Sequence, residues 1–134
     1  MARYTSIFPA LLGIESDETP IFIPTFNQPT LLKMTLNQLN SAKNRIIIYD
    51  NNSTSVEMRS LLEDLSSDID VILSEKNTGP RIFTEDAQIL SLMPNYFVVT
   101  DPDLIHNENL PENHLVEMRK IIESRNVEIG RAHV

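Results

Sequence analysis

Two carboxylates separated by one residue, Asp101 and Asp103, stand directly after the apolar run Tyr96–Thr100. Side chains alternate along an extended chain, so both acids point to the same side. Like charges so placed repel, and a cation beside them relieves the repulsion. Oxygen donors with few other ligands in reach suit magnesium or manganese that is also held by substrate phosphates. The competing reading is a capped turn, with Asp101 as the cap and Asp103 solvated. The tripeptide alone leaves both open. His106 follows three residues after Asp103 and is a candidate third ligand, against a solvated loop histidine.

Three further polar clusters have the same placement. Thr25-Phe26-Asn27 follows the apolar run Ile21-Phe22-Ile23. Asp50-Asn51-Asn52-Ser53 follows Ile46-Ile47-Ile48. Lys76-Asn77-Thr78-Gly79 comes just after Ile69–Leu73. Asp50 can accept hydrogen bonds from a base or ribose edge. One of Asn52, Ser53 or Thr54 is expected to cap the next helix, but one cap does not need four such residues. Gly79 permits a close-approach backbone, and Arg81 offers a planar donor fork suited to phosphate. An ordinary turn with a surface arginine is the alternative for that loop.

These clusters need a scaffold, and the periodicity supplies one. From about Pro20 onward short apolar runs alternate with helical spacing, the pattern of an α/β domain with a largely parallel sheet. Strands are predicted at Ile21–Ile23, Arg45–Tyr49, Ile69–Leu73, Tyr96–Thr100 and Val127–Ile129. Helices are predicted over Pro29–Leu39, Ser55–Leu65, Arg81–Leu92 and Pro111–Ser124, with Phe83, Ala87 and Leu90 on one side of the third. Residues 1–19 read as an irregular N-terminal arm with at most one short helix, and 20–134 as the domain. In such sheets ligands bind beyond the carboxyl ends of the strands. All four clusters fall there.

Composition limits the alternatives. The 134 residues suffice for one domain. There is no cysteine, which removes disulfides, thiolate nucleophiles and cysteine-ligated metals. A net charge of −8 argues against a nucleic-acid binder. No apolar run approaches the roughly 20 residues of a membrane span. Serine-triad, Gly-x-Gly-x-x-Gly and phosphate-loop lysine motifs are absent.

Taken in order, Ile21-Phe22-Ile23-Pro24-Thr25-Phe26-Asn27, Ile46–Ser53, Asn77-Thr78-Gly79-Pro80 and Val98–Asp103 resemble the nucleotide-binding half of family 2 glycosyltransferases with the GT-A fold. The resemblance covers about Pro20 to Gly130. It implies a three-layer α/β/α sandwich of the nucleotide-diphospho-sugar transferase type. It also implies a nucleotide-sugar donor, UDP-linked by preference, and transfer with inversion. By the same resemblance Thr25, Phe26 and Asn27 line the base and ribose, Asp50 contacts the base, and Asn52 lies beside it. Asn77, Gly79 and Arg81 meet ribose and phosphate. Asp101 and Asp103 hold the ribose and a manganese- or magnesium-bridged diphosphate.

The sequence departs from that pattern in places. Pro102 stiffens the turn between the acids. The family's acceptor half and catalytic base lie downstream of the matching region, so the domain is expected to be truncated and no base is assigned. Glu108 and Glu112 read as solvated. The acceptor, whether glycan, lipid or protein, is left open. An exposed apolar face on such a fragment would favour homo-oligomers. The expected setting is the cytoplasm, including the inner face of a membrane. The rival class is a non-catalytic nucleotide- or partner-binding module. A sugar-phosphate nucleotidyltransferase is disfavoured, because Pro24-Thr25-Phe26-Asn27 is not its Gly-rich loop.

Overall fold

The computed structural model describes residues 3–15, 17–39, 44–65, 68–79, 82–100 and 132–133. They form six strands, β1 (Arg3–Tyr4), β2 (Ile21–Thr25), β3 (Ile46–Asp50), β4 (Ile69–Leu73), β5 (Val98–Val99) and β6 (Ala132–His133). Five helices accompany them, α1 (Ile7–Leu12), α2 (Pro29–Gln38), α3 (Val56–Glu63), α4 (Ile82–Glu85) and α5 (Ala87–Leu92). The strands make one sheet in the order β1-β4-β3-β2-β5-β6, and every pairing is parallel.

A parallel sheet must be covered on both faces, so its central strands are apolar throughout rather than alternating. All five residues of β2 and all five of β3 are buried. Ile21, Ile23, Ile46, Ile48 and Val71 pack with Leu32 of α2 and with Met58 and Leu62 of α3. Phe22, Ile47, Tyr49 and Ile72 pack on the other face with Ile7 and Leu11 of α1, Phe83 of α4 and Ile89 of α5. The result is the three-layer α/β/α arrangement expected from the sequence. Phe22 lies 4.7 Å from Phe83 and 6.2 Å from Phe97, and Tyr49 meets Phe83 edge-on at 5.5 Å. Such ring pairs contribute about 0.5–1.5 kcal/mol each beyond simple burial.

Pro24 sits inside a central strand, where a missing N–H is normally costly. The ladder explains its tolerance. Ile21 donates to Arg45 O on the β3 side, whereas Phe22 O accepts from Thr100 N on the β5 side. Pro24 shares the parity of Phe22, so its nitrogen faces β5, beyond the last paired residue Val99. The β2–β5 pairing accordingly ends at Phe22–Val99, where the next bond would need the N–H that Pro24 lacks.

Several boundaries differ from expectation. The N-terminal stretch is more than an irregular arm: Arg3 and Tyr4 pair with Val71 and Ile72, and α1 buries Ile7, Ala10 and Leu11. Ser55, rather than Asn52, Ser53 or Thr54, caps α3, its hydroxyl accepting from Met58 N at 3.2 Å. The Ser53 and Thr54 hydroxyls are engaged elsewhere, and Asn52 is exposed. The expected helix over Arg81–Leu92 is two helices. Asp86 accepts from Gln88 N and Ile89 N and restarts the helix, which resets its phase, so Ile89 is buried and Ala87 is exposed. The predicted helix Pro111–Ser124 and strand Val127–Ile129 lie outside the described residues. Among the described residues no helix is long and apolar enough to cross a membrane.

The opposite, amino-terminal edge of the sheet is held by charge. Arg45 pairs with Asp70 at 2.5 Å and approaches Glu18 at 3.9 Å. Asp70 is buried.

Candidate functional site

Because all strands run the same way, the segments after β2, β3 and β4 meet at one edge, and Thr100 leads out of β5 beside them. Register fixes their spacing. Thr25 is opposite Asp50, and Asp50 is opposite Leu73. Ladder-like bonds continue past the strands, from Asn51 N to Thr25 O at 2.9 Å and from Ser74 N to Asp50 O at 3.0 Å.

Strand parity then sorts the side chains. Asp50 continues the face of Ile46 and Ile48. Its carboxylate accepts from Ser53 N at 3.0 Å and from the Ser53 hydroxyl at 2.5 Å. The same hydroxyl accepts from Asn27 N at 3.0 Å. The Asn27 side chain bridges to the following residues: its Oδ1 accepts from Thr54 N and Ser55 N, both at 2.9 Å, and its Nδ2 donates to Thr54 Oγ1 at 3.0 Å. This clamp ties the β2 loop to the β3 loop. Asn27 adopts φ 50°, a left-handed conformation that asparagine tolerates better than most residues. An ionised carboxylate has about four lone-pair sites. Asp50 uses two within the turn, and the others remain for a ligand.

Asn51 continues the opposite face, that of Ile47 and Tyr49. Its Oδ1 accepts from Thr78 N at 3.0 Å and from Thr78 Oγ1 at 2.8 Å, while its Nδ2 donates to Gly79 O at 3.1 Å. Tyr49 OH meets the same threonine hydroxyl at 3.1 Å. Asn77 Oδ1 accepts from Gly79 N at 2.9 Å. Gly79 has φ 87°, which this turn requires. The β4 loop is thereby latched to the end of β3.

Among the described residues one buried hydroxyl of this edge stands without a hydrogen-bond partner, and one aromatic ring is exposed. Thr25 is 3% exposed, and its hydroxyl has no hydrogen-bond partner. Leaving a buried hydroxyl unpaired costs about 1–3 kcal/mol. Phe26 is 41% exposed despite its apolar ring, next to Asn27. Asn52 is exposed, with φ 61°. Beside Asp50 and Asn52, on the α3 side, lies an open cavity of ≈ 330 Å³ that reaches Arg3, Arg59, Glu63 and Ser74.

The sheet edge thus gathers Thr25, Phe26, Asn27, Asp50, Asn52, Asn77 and Gly79. Arg81, Asp101, Asp103 and His106 lie outside the described residues. Among the described residues no group of three His, Cys, Asp or Glu is placed to hold a metal ion. Asn51 and Thr78, which shape the loops, had no role assigned from the sequence, and Ser53 was expected there only as a candidate helix cap. The available signal was the excess of small polar residues after β3, more than a helix cap consumes.

Residues 21–121 match the family described as Glycosyl transferase family 2. The match spans most of the chain and includes every strand-end loop described above. The chain belongs to glycosyl transferase family 2. Its parallel α/β/α sheet is the GT-A architecture expected for this family. Comparison with curated proteins returns no match.

Proposed function

We propose that this glycosyl transferase family 2 domain binds a nucleotide-diphosphate sugar, with UDP as the nucleotide, across the carboxyl ends of β2, β3 and β5. The observation that carries the reading is the buried Thr25 hydroxyl without a partner, in register with Asp50, whose carboxylate keeps free lone pairs. A base or ribose edge supplies the donors and acceptors that both lack. Phe26 offers an exposed ring for the apolar face of the base. Asn27 contributes by holding the two loops in register. Asn77 and Gly79 present the latched β4 loop to ribose and phosphate, with Arg81 as the cationic donor beyond it.

Asp101 and Asp103 are the proposed metal ligands. Two hard oxygen donors suit manganese or magnesium. When bound, such an ion stabilises the charge of a departing diphosphate. The reaction proposed is glycosyl transfer to an acceptor hydroxyl with inversion at the anomeric carbon. No catalytic base is assigned.

Titration calorimetry of the chain with UDP and manganese tests this. Saturable heat is expected for the wild type, and at least tenfold weaker binding for Asp103→Ala at an unchanged melting temperature. An absence of heat in the wild type, or equal affinity in the variant, overturns the proposal.

A further inference from the structure

The cavity beside Asp50 holds chemistry that the donor reading does not use. Its walls come from β1 (Arg3), the β3 end and loop (Asp50, Asn52, Ser53), α3 (Arg59, Leu62, Glu63) and the β4 end (Leu73, Ser74). Two exposed arginines from elements far apart in sequence therefore line one cavity. Each is anchored by a single backbone carbonyl. Arg3 donates to Leu62 O, and Arg59 Nε donates to Ser53 O at 3.2 Å. Among the described residues neither pairs with a carboxylate; the ion pairs there are those of Arg45.

Two nearby acids would be the natural partners, and neither takes the role. Asp50 turns two of its acceptor sites to the Ser53 amide and hydroxyl, and among the described residues it forms no ion pair with either arginine. Glu63 lies one helical turn from Arg59, a spacing that favours pairing. It lines the cavity, and among the described residues no ion pair joins it to either arginine. A guanidinium carries five donors in a fixed fork. With one spent on a carbonyl, each arginine keeps a face of N–H groups, and the carbonyl contact holds it in place. On a chain of net charge −8, this cavity matches two arginines to two acids, Asp50 and Glu63, and among the described residues neither arginine is ion-paired.

We propose that this cavity is a second ligand site, for a small phosphorylated, hydroxyl-bearing molecule. The phosphoryl group is held between Arg3 and Arg59, where bidentate charge-assisted hydrogen bonds are available. Leu62 and Leu73 form the apolar floor. Asn52 and Glu63 stand at the rim for hydroxyl groups. The site shares Asp50 and Asn52 with the donor edge, but it needs neither Asp101 nor Asp103 and no metal ion.

Pyrophosphate, titrated in the presence of EDTA and followed by amide NMR, probes it directly. Saturable shifts at Asn52, Ser53, Arg59 and Glu63 are expected. The Arg3→Gln/Arg59→Gln double variant should bind at least tenfold more weakly while still binding UDP and manganese. Arg59→Lys, which keeps the charge and loses the fork, should fall between. Non-saturable shifts, shifts confined to other parts of the chain, or equal affinity in the double variant overturn the proposal. If the double variant does not fold, the wild-type shift map and Arg59→Lys decide it. Loss of UDP binding with pyrophosphate binding intact counts against the donor reading alone.

Discussion

The two edges of the sheet are built from different interactions. At the amino-terminal edge a charged pair, Arg45–Asp70, spans β3 and β4 at 2.5 Å. At the carboxyl-terminal edge the same two strands are extended by neutral contacts, with Asn51 taking three hydrogen bonds to Thr78 and Gly79. Asn27 does the same work between the β2 and β3 loops. Amides and hydroxyls fix loop shape without consuming charge. The acids and arginines at the carboxyl edge thus remain available, whereas those at the amino edge neutralise one another. The edge proposed to bind a charged ligand and the edge that stabilises the sheet thus differ in where their charges go.

The largest expected effect comes from breaking the amino edge. Asp70→Ala leaves Arg45 with only the longer contact to Glu18 in a partly buried setting and should cost about 3 kcal/mol, a melting-temperature drop of roughly 10 °C by thermal denaturation. UDP affinity should be unchanged. Asn51→Ala tests the other edge. Freeing Thr78 and Gly79 should cost about 2 kcal/mol and weaken UDP binding about tenfold, because the β4 loop loses its latch. Calorimetry on both variants separates the edges: equal loss of affinity in the two would erase the distinction.

Gly79→Ala is a finer probe. A Cβ at this position meets nothing within 4 Å, so the cost is conformational and should be about 1 kcal/mol from the left-handed backbone alone. Phe26→Ala should be the mildest for stability, within about 0.5 kcal/mol for an exposed ring away from the core. Its UDP affinity should nevertheless fall severalfold, which sharpens the contrast between holding the fold and holding the ligand.

Much of this was legible in the sequence because it is local. The apolar runs placed β2, β3 and β4 within a residue or two, Pro29 marked the first turn of α2, and Thr25, Asp50 and Gly79 fall at the sheet edge as their position after strands required. What was hidden depends on partners distant in the chain. Nothing near Asn51 announces that it serves Thr78. Its face follows from strand parity, but its partner follows only from the register of β4. The clamp of Asn27 onto Thr54 and Ser55 is equally remote. The break at Asp86 was masked by helical spacing on both sides of it. Arg3 drew no attention because two residues make a strand only when an edge is waiting for them.

That last feature has a kinetic consequence. With every pairing parallel, no two strands join through a tight hairpin, so assembly depends on distant contacts and is slow for the chain's size. β2, β3 and β4 follow one another across the sheet and can zip in order. β1 is the first strand made and pairs with the fourth, through only Arg3 and Tyr4 on Val71 and Ile72. It must wait until β4 exists and, as a two-residue edge strand, it frays at little cost. Arg3 leaves the cavity wall whenever it does. Amide exchange at Tyr4 should therefore outpace exchange at Ile47 and Ile48 by orders of magnitude, and a ligand gripping Arg3 should slow it.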